Sequence, residues 1–175
     1  MAKKQPAGMR RYMQGEPYKI KRQWEFPPDF ILIIDTREQK PLFVKSLPKG
    51  LVVVRDTLKA GDYSVRGLEH LVFFERKEVP DAIRYVTTDH QHTIAKVKPY
   101  LHIPNRYLMI EGTEEDMFMN DNQFSTVHPE AIRNGLVAVE VRCGYRVYYH
   151  RDRKEHERFM LDRMLKIYQV AREIV

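Results

Sequence analysis

Leu71-Val72-Phe73-Phe74-Glu75-Arg76-Lys77 passes from four apolar residues directly into a carboxylate, a guanidinium and an ammonium, with Asp81 one helical turn further on. The apolar part reads as a buried strand. Such a strand does not end by turning unlike charges inward unless they are paired or hold a metal ion. Side chains alternate along a strand, so Glu75 and Lys77 share one face and Arg76 takes the other. A carboxylate fixed beside a cation suits metal-assisted hydrolysis of a phosphodiester.

Two upstream segments supply further acids. Ile31-Leu32-Ile33-Ile34-Asp35-Thr36-Arg37-Glu38 is a second apolar strand ending in charge, and Ala60-Gly61-Asp62-Tyr63-Ser64-Val65 is a glycine turn opening a short strand on an acid. Short connections make these strands neighbours, which gathers Asp35, Glu38, Asp62 and Glu75 as candidate catalytic residues and metal ligands. Mg²⁺ takes few protein carboxylates and keeps several waters, so two to four such acids suffice. Lys77 would orient the attacking water or neutralise charge developing on the phosphorane. Arg37 shares a face with Asp35 and either supports the site through an ion pair or touches DNA. Arg76 either pairs with Asp35 or Glu38 or touches DNA. Asp81 follows Pro80 in a helix's first turn, where an acid suits the dipole, and reads as a supporting residue. Tyr63 reads as packing, and Glu111, which ends its strand at a glycine, either as an outward structural acid or as a peripheral metal ligand.

Asp35-x-Arg37-Glu38, Gly61-Asp62-Tyr63 and Glu75-Arg76-Lys77-x-x-x-Asp81 stand in an order and spacing that resemble the XPF-type (ERCC4-domain) nucleases, a branch of the restriction-endonuclease-like PD-(D/E)XK superfamily. Arg106-Tyr107-Leu108-Met109-Ile110-Glu111-Gly112 is similar to the family's strand ending in Glu-Gly. Three linked motifs in order weigh far more than one E-x-K. The resemblance runs from about Ile31 to the C-terminus. It implies a Mg²⁺-dependent endodeoxyribonuclease, with Mn²⁺ substituting, that acts on branched, flapped or junction DNA in repair or recombination. It also implies pairing with a second copy or a related subunit. The stretch Thr87-Thr88-Asp89-His90-Gln91-His92-Thr93 departs from the family's arginine- and glutamine-bearing helix, so DNA contacts are not carried over there. Many relatives add helix-hairpin-helix modules or a helicase. The final helix here leaves room for neither, so substrate choice is expected to rest on the nuclease domain, its arm and its partner.

The chain has 175 residues, 43% of them hydrophobic, which is enough for one domain with a sizeable core. Its formal charge of +6 is unevenly placed. Residues 1–22 hold Lys3, Lys4, Arg10, Arg11, Lys19, Lys21 and Arg22 against Glu16 alone, seven minus one, which leaves 23 basic and 23 acidic residues for the rest. Residues 1–29 therefore read either as a basic DNA-binding arm or as a solubilising leader, with 30–175 as the nuclease domain. A single cysteine, Cys143, excludes an internal disulfide and a cysteine-rich zinc site. No apolar run is long enough to span a membrane, and none follows the basic start as in a signal peptide, so a soluble intracellular protein is expected.

Periodicity and turn residues predict strands at 31–37, 51–58, 62–66, 70–77, 106–111 and 146–150, and helices at 79–87, 89–101, 129–143 and 153–174. A strand meander followed by helix–strand–helix units gives an α/β/α sandwich on a mixed sheet, the restriction-endonuclease-like fold. His90-x-His92 spacing on a helix splays the rings apart and argues against joint metal ligation. The last helix carries Met160, Leu161, Met164, Leu165, Ile167, Tyr168, Ala171, Ile174 and Val175, a stripe that reads as a fully covered helix or as a dimer face. Two rival functions share the fold: a sequence-reading restriction-type endonuclease, and a non-catalytic DNA-binding subunit. Intact Asp62, Glu75 and Lys77 argue against the second.

Overall fold

The apolar runs become strands β1 (Ile31–Asp35), β2 (Val52–Asp56), β3 (Tyr63–Val65), β4 (Val72–Glu78), β5 (Asn105–Glu111) and β6 (Arg146–His150) of one sheet, ordered β2-β1-β3-β4-β5-β6. The coordinates are a computed structural model that describes residues 24–118 and 126–173. β1 pairs antiparallel with β3 and β3 with β4, whereas β1–β2, β4–β5 and β5–β6 are parallel. The sheet is mixed, as expected, but its first half is not a meander. β2 lies parallel to β1 on the outer edge, and β3 takes β1's other side. Parallel strands need a crossover; here residues 36–51 provide it without a helix, tucking Leu42, Phe43 and Leu51 into the core.

Both faces of the sheet are covered. Leu32, Ile34, Tyr63, Val65, Val72, Phe74, Tyr107 and Met109 pack on one side against helix α5 (Arg153–Glu173), through Met160, Leu161, Met164, Leu165 and Tyr168. Phe73, Leu108 and Ile110 point the other way, into helices α1 (Val79–Val86), α2 (His90–Val97) and α4 (Pro129–Cys143). The apolar stripe of α5 is thus taken up by the core; Ile174 and Val175 lie outside the described residues. Residues Trp24 to Phe30 belong to this layer as well. The Trp24 indole donates to Asp162 (3.0 Å), and Phe30 packs edge-on against Tyr168. Packing therefore begins ahead of residue 30, while Lys3, Lys4, Arg10, Arg11, Lys19, Lys21 and Arg22 lie outside the described residues.

Several boundaries differ for local reasons. β1 stops at Asp35 because its carboxylate accepts the Arg37 backbone N–H (2.8 Å) and bends the chain. α2 gives way to a 3₁₀ turn at Lys98–Tyr100, where Pro99 intervenes. α4 runs over the expected 129–143 and stops at Gly144, whose φ of 63° fits a left-handed C-terminal cap. Sequence reasoning overlooked the short helix α3 (Glu114–Phe118). Its signal was present: the Thr113 N–H donates to Asp116 (2.7 Å) and the Asp116 N–H to the Thr113 hydroxyl (3.1 Å), a reciprocal capping box. Among the described residues no helix is long and apolar enough to cross a membrane.

Candidate active site

The alternation of β4 divides its charged end between the two layers. Phe73 and Phe74 face opposite cores, so Glu75 and Lys77 follow Phe73 toward α1 and α2, and Arg76 follows Phe74 toward α5. The Glu75–Lys77 pair and the Arg76 guanidinium thus occupy different sides of one strand.

On the first side, Gly61 brings the β3 strand onto β4. Its φ is +71°, and a Cβ there would lie 2.6 Å from the Phe73 ring and 2.8 Å from the Phe74 carbonyl oxygen, so only glycine permits the approach. Asp62 follows, held at three points: its N–H donates to Phe74 O (2.7 Å), its carbonyl accepts from Asp35 N (2.8 Å), and its Oδ2 accepts from Arg76 N (2.7 Å). Lys77 Nζ donates to Glu75 Oε1 (2.6 Å) and sits over the Tyr85 ring of α1, 5.3 Å from its centroid. Burial pushes the Asp62 carboxyl up to about 7, with the Glu75 charge adding to the rise and Lys77 and the Arg76 N–H opposing it. Burial disfavours the Lys77 ammonium, but Glu75 and Asp62 outweigh it and hold its pKa above the ordinary lysine value. The site therefore pairs two enclosed carboxyls with a lysine that stays charged.

On the second side, Arg76 is 7% exposed and locked by acids from two other segments. Its Nη2 and Nε donate to Glu38 (3.0 and 3.2 Å), and its Nη1 lies 3.1 Å from Glu111. Arg153 of α5 extends the chain of charge, donating to Glu111 (2.7 Å) and to the carbonyls of Lys40 and Pro41. A buried pair of this kind is costly to break, so the lock fixes the end of β4 and with it Glu75, Lys77 and the N–H that holds Asp62.

The four expected metal ligands are not placed alike. Asp62 and Glu75 meet beside Lys77. Asp35 lies on the same face, but both its oxygens are engaged: Oδ1 by Arg37 N (2.8 Å) and Nε (2.7 Å), Oδ2 by Arg37 Nη2 (3.0 Å) and Leu58 N (2.7 Å). Burial would raise its pKa, yet these hydrogen bonds hold it below the usual carboxylate range. Glu38 is occupied by Arg76 and the Lys40 N–H (2.8 Å). No group of three or more His, Cys, Asp or Glu side chains is gathered as a metal cluster among the described residues. Arg37 serves Asp35, Asp81 pairs with Arg84 (2.7 Å) at the surface, and Glu111 is part of the Arg76 lock. Lys96 of α2, overlooked in the sequence, lies 3.8 Å from Glu75 Oε1. Its signal is helical spacing: Thr93 and Val97 are buried, which aims the intervening face at the sheet.

The site opens into a cleft of about 420 Å³ between the β1 turn and α1. Arg37, Lys40, Arg76, Lys77 and Arg84 line it against Glu38, Asp62, Glu78, Asp81 and Asp89, five charges of each sign. With every carboxyl ionised, the cleft carries no net positive charge of its own.

A mixed sheet between helical layers, with two carboxyls and a lysine at the adjoining ends of β3 and β4, defines the restriction-endonuclease-like class of α/β/α domain. The ERCC4 domain family matches residues 34–162, and the chain belongs to that family. Among solved structures, XPF from Aeropyrum pernix in complex with DNA is similar at 18% identity with a TM-score of 0.52, over 82% of this chain and 64% of that one. A second structure, XPF from Aeropyrum pernix, gives 18% and 0.53, over 81% and 60%. The chain spans about three fifths of the length of those chains, and the likeness at this identity is one of fold. No curated protein matches the sequence.

Proposed function

We propose that this chain is a Mg²⁺-dependent endodeoxyribonuclease, with Mn²⁺ able to substitute, that hydrolyses phosphodiesters in branched, flapped or junction DNA. The observation that carries the reading is the placing of Asp62 within charge range of the Glu75–Lys77 pair, whose Nζ–Oε1 distance is 2.6 Å, with Asp62 and Lys77 lining an open cleft and Glu75 buried behind them. The donor set fits a hard cation. Asp62 Oδ1 and Glu75 Oε2 have no protein hydrogen-bond partner among the described residues, and two carboxylates completed by water suit Mg²⁺. Asp62 and Glu75 would hold the ion, which supplies an activated water and polarises the scissile phosphate.

The protein's own groups do the rest. Lys77 presents a fixed positive charge where the phosphorane develops negative charge. The Arg76 N–H fixes Asp62, and the Glu38–Arg76–Glu111 lock fixes Arg76. In this reading Asp35 and Glu38 support the site from their partners Arg37 and Arg76 and do not ligate the ion directly. DNA as the substrate is supported by membership of the ERCC4 family and by a fold neighbour solved in complex with DNA. Because the cleft is electrically balanced, the basic residues 1–22 supply the phosphate affinity. Pairing with a second copy or a related subunit belongs to the same reading. Its support is the exposure of Val137 and Val141, one turn apart on α4.

The test compares wild type, Asp62→Ala and Glu75→Ala on flap, fork, four-way junction and linear duplex DNA, with Mg²⁺ or EDTA. Cleavage of branched substrates is expected only with Mg²⁺, and each variant should lose more than about 100-fold, beyond the effect of losing a supporting partner. Equal cutting by wild type and variants would sink the site. Preference for plain duplex at fixed sequences would favour the restriction-type reading. Removing residues 1–22 should flatten the log–log salt dependence of binding by about 0.9 for each phosphate that those residues neutralise. A single monomeric species in sedimentation at micromolar concentration would remove the pairing.

A further inference from the structure

Every cation lining the cleft except Lys77 has its own carboxylate partner outside the Asp62–Glu75 pair. Arg37 is held by Asp35 (2.7 Å), Lys40 by Glu78 (2.8 Å), Arg84 by Asp81 (2.7 Å), and Arg76 by Glu38 and Glu111. Lys96, which approaches the site from α2, differs in the same way as Lys77: among the described residues its ion-pair partner is Glu75 alone. The two lysines are otherwise unlike. Lys77 is largely enclosed and hydrogen-bonded, with 21% of its side chain exposed, whereas Lys96 is 53% exposed and stands 3.8 Å off the same oxygen.

The backbone that carries Lys96 is nevertheless fixed. Thr93 and Val97 are buried, and the Thr93 hydroxyl donates to the Tyr85 carbonyl (2.9 Å), tying α2 to the helix that also carries the ring beneath Lys77. A long, half-exposed ammonium on a fixed helix can move its tip by a few ångströms without any backbone change.

Charge balance says what that movement accomplishes. In the free protein, Asp62 and Glu75 in their ionised forms are offset by Lys77 and Lys96. A divalent cation on the two carboxylates leaves an excess of two positive charges. A phosphodiester and an attacking hydroxide together carry two negative charges. Once Glu75 is engaged by the ion, Lys96 has no other carboxylate within ion-pair distance among the described residues to retain it, and the incoming phosphate offers it a negative charge.

We infer that Lys96 is a substrate-binding residue that passes from Glu75 to a non-bridging oxygen of the DNA phosphate at the cleft, completing with Lys77 a two-lysine clamp. The inference rests on the nuclease reading above. It assigns to α2 a direct phosphate contact for this chain.

The test uses the full chain with Lys96→Ala and Lys96→Arg, and two readouts on a fluorescein-labelled forked duplex. The first is the salt dependence of binding with Ca²⁺ in place of Mg²⁺. The second is steady-state cleavage with Mg²⁺. Lys96→Ala should reduce the log–log salt slope by about 0.9, the value of one neutralised phosphate, and lower kcat/KM about tenfold or more. Lys96→Arg should restore the slope and most of the activity, since the charge is retained. The melting temperature should not change in either variant, because Lys96 is exposed. An unchanged slope in Lys96→Ala, with wild type cutting normally, overturns the clamp and leaves the nuclease reading standing. Failure of Lys96→Arg to restore the slope likewise overturns it. Wild type that neither binds nor cuts any DNA with divalent ion overturns the nuclease reading, and the clamp with it.

Discussion

Replacing Glu38 by glutamine separates the two roles that its position allows. The carboxylate accepts from Arg76 Nη2 (3.0 Å) and Nε (3.2 Å) and from Lys40 N (2.8 Å), and both ionic partners are under a tenth exposed. Burial alone would raise its pKa, yet the Arg76 hydrogen bonds, the Lys40 N–H and the Arg76 charge outweigh it and hold it below the usual glutamate value. Breaking a buried pair by removing one partner costs about 3–5 kcal/mol. Here Glu111 still faces Arg76 at 3.1 Å, and the glutamine oxygen can keep one of the donors. The loss should therefore fall below that range, at about 2–3 kcal/mol, near one or two charge-assisted hydrogen bonds. Urea unfolding should show a lower midpoint at unchanged slope. Mg²⁺-dependent cleavage should fall only modestly, with an unaltered Mg²⁺ midpoint. A Glu38 that ligates the ion would give the opposite pattern: stability preserved or improved as an unneutralised charge is removed, and cleavage abolished or its Mg²⁺ midpoint shifted strongly. That pattern would refute the assignment of Glu38 to the Arg76 lock.

Gly135 sits where α4 crosses the end of α1, and a Cβ there would fall 1.9 Å from the Val86 carbonyl oxygen. Gly→Ala in an exposed helix gains about 1 kcal/mol, but here the helices must separate, so Gly135→Ala should cost about 1–3 kcal/mol in urea unfolding; a raised midpoint would show that the crossing is not tight. His156 is buried, with Nε2 2.7 Å from His150 O and Nδ1 without a partner among the described residues; burial chiefly depresses its pKa, with the hydrogen bond to the His150 carbonyl and the Glu111 charge acting to raise it and the His150 and Arg76 charges to lower it. The unfolded chain takes up the proton first as pH falls through about 6.5, so this residue subtracts stability from there downward, by at most about 1.4 kcal/mol per pH unit, and has no effect above. Thermal unfolding at pH 7.5, 6.5 and 5.5 should show a smaller decline in His156→Gln than in wild type; equal declines would assign the loss to other groups.

Sequence patterning revealed the site's core because strand alternation is a rigid rule. Phe73-Phe74-Glu75-Arg76-Lys77 cannot form a strand buried between two layers without sending Glu75 and Lys77 one way and Arg76 the other. Which acids would answer them was not legible, because that depends on turns. Asp35 and Glu38 sit three residues apart in one motif, yet the bend at Arg37 leaves Asp35 on the Glu75 side, saturated by Arg37 and Leu58, and sends Glu38 through the crossover side to Arg76. The same local rule explains the error in topology. Apolar β1 and β2 with a helix-free connection suggest a hairpin, but residues 36–51 bury Leu42, Phe43 and Leu51, and a connection anchored in the core can return the chain parallel. Lys96 and Arg153 were overlooked for a further reason: each reaches its acid from a helix distant in sequence, and the docking of that helix, not any motif, decides whether a surface lysine or arginine meets a buried carboxylate. Glu75 and Glu111 therefore acquire their second cations only through tertiary packing. Substitutions at Lys96 on α2 and Arg153 on α5 therefore act on Glu75 of β4 and Glu111 of β5 without touching the motif residues themselves.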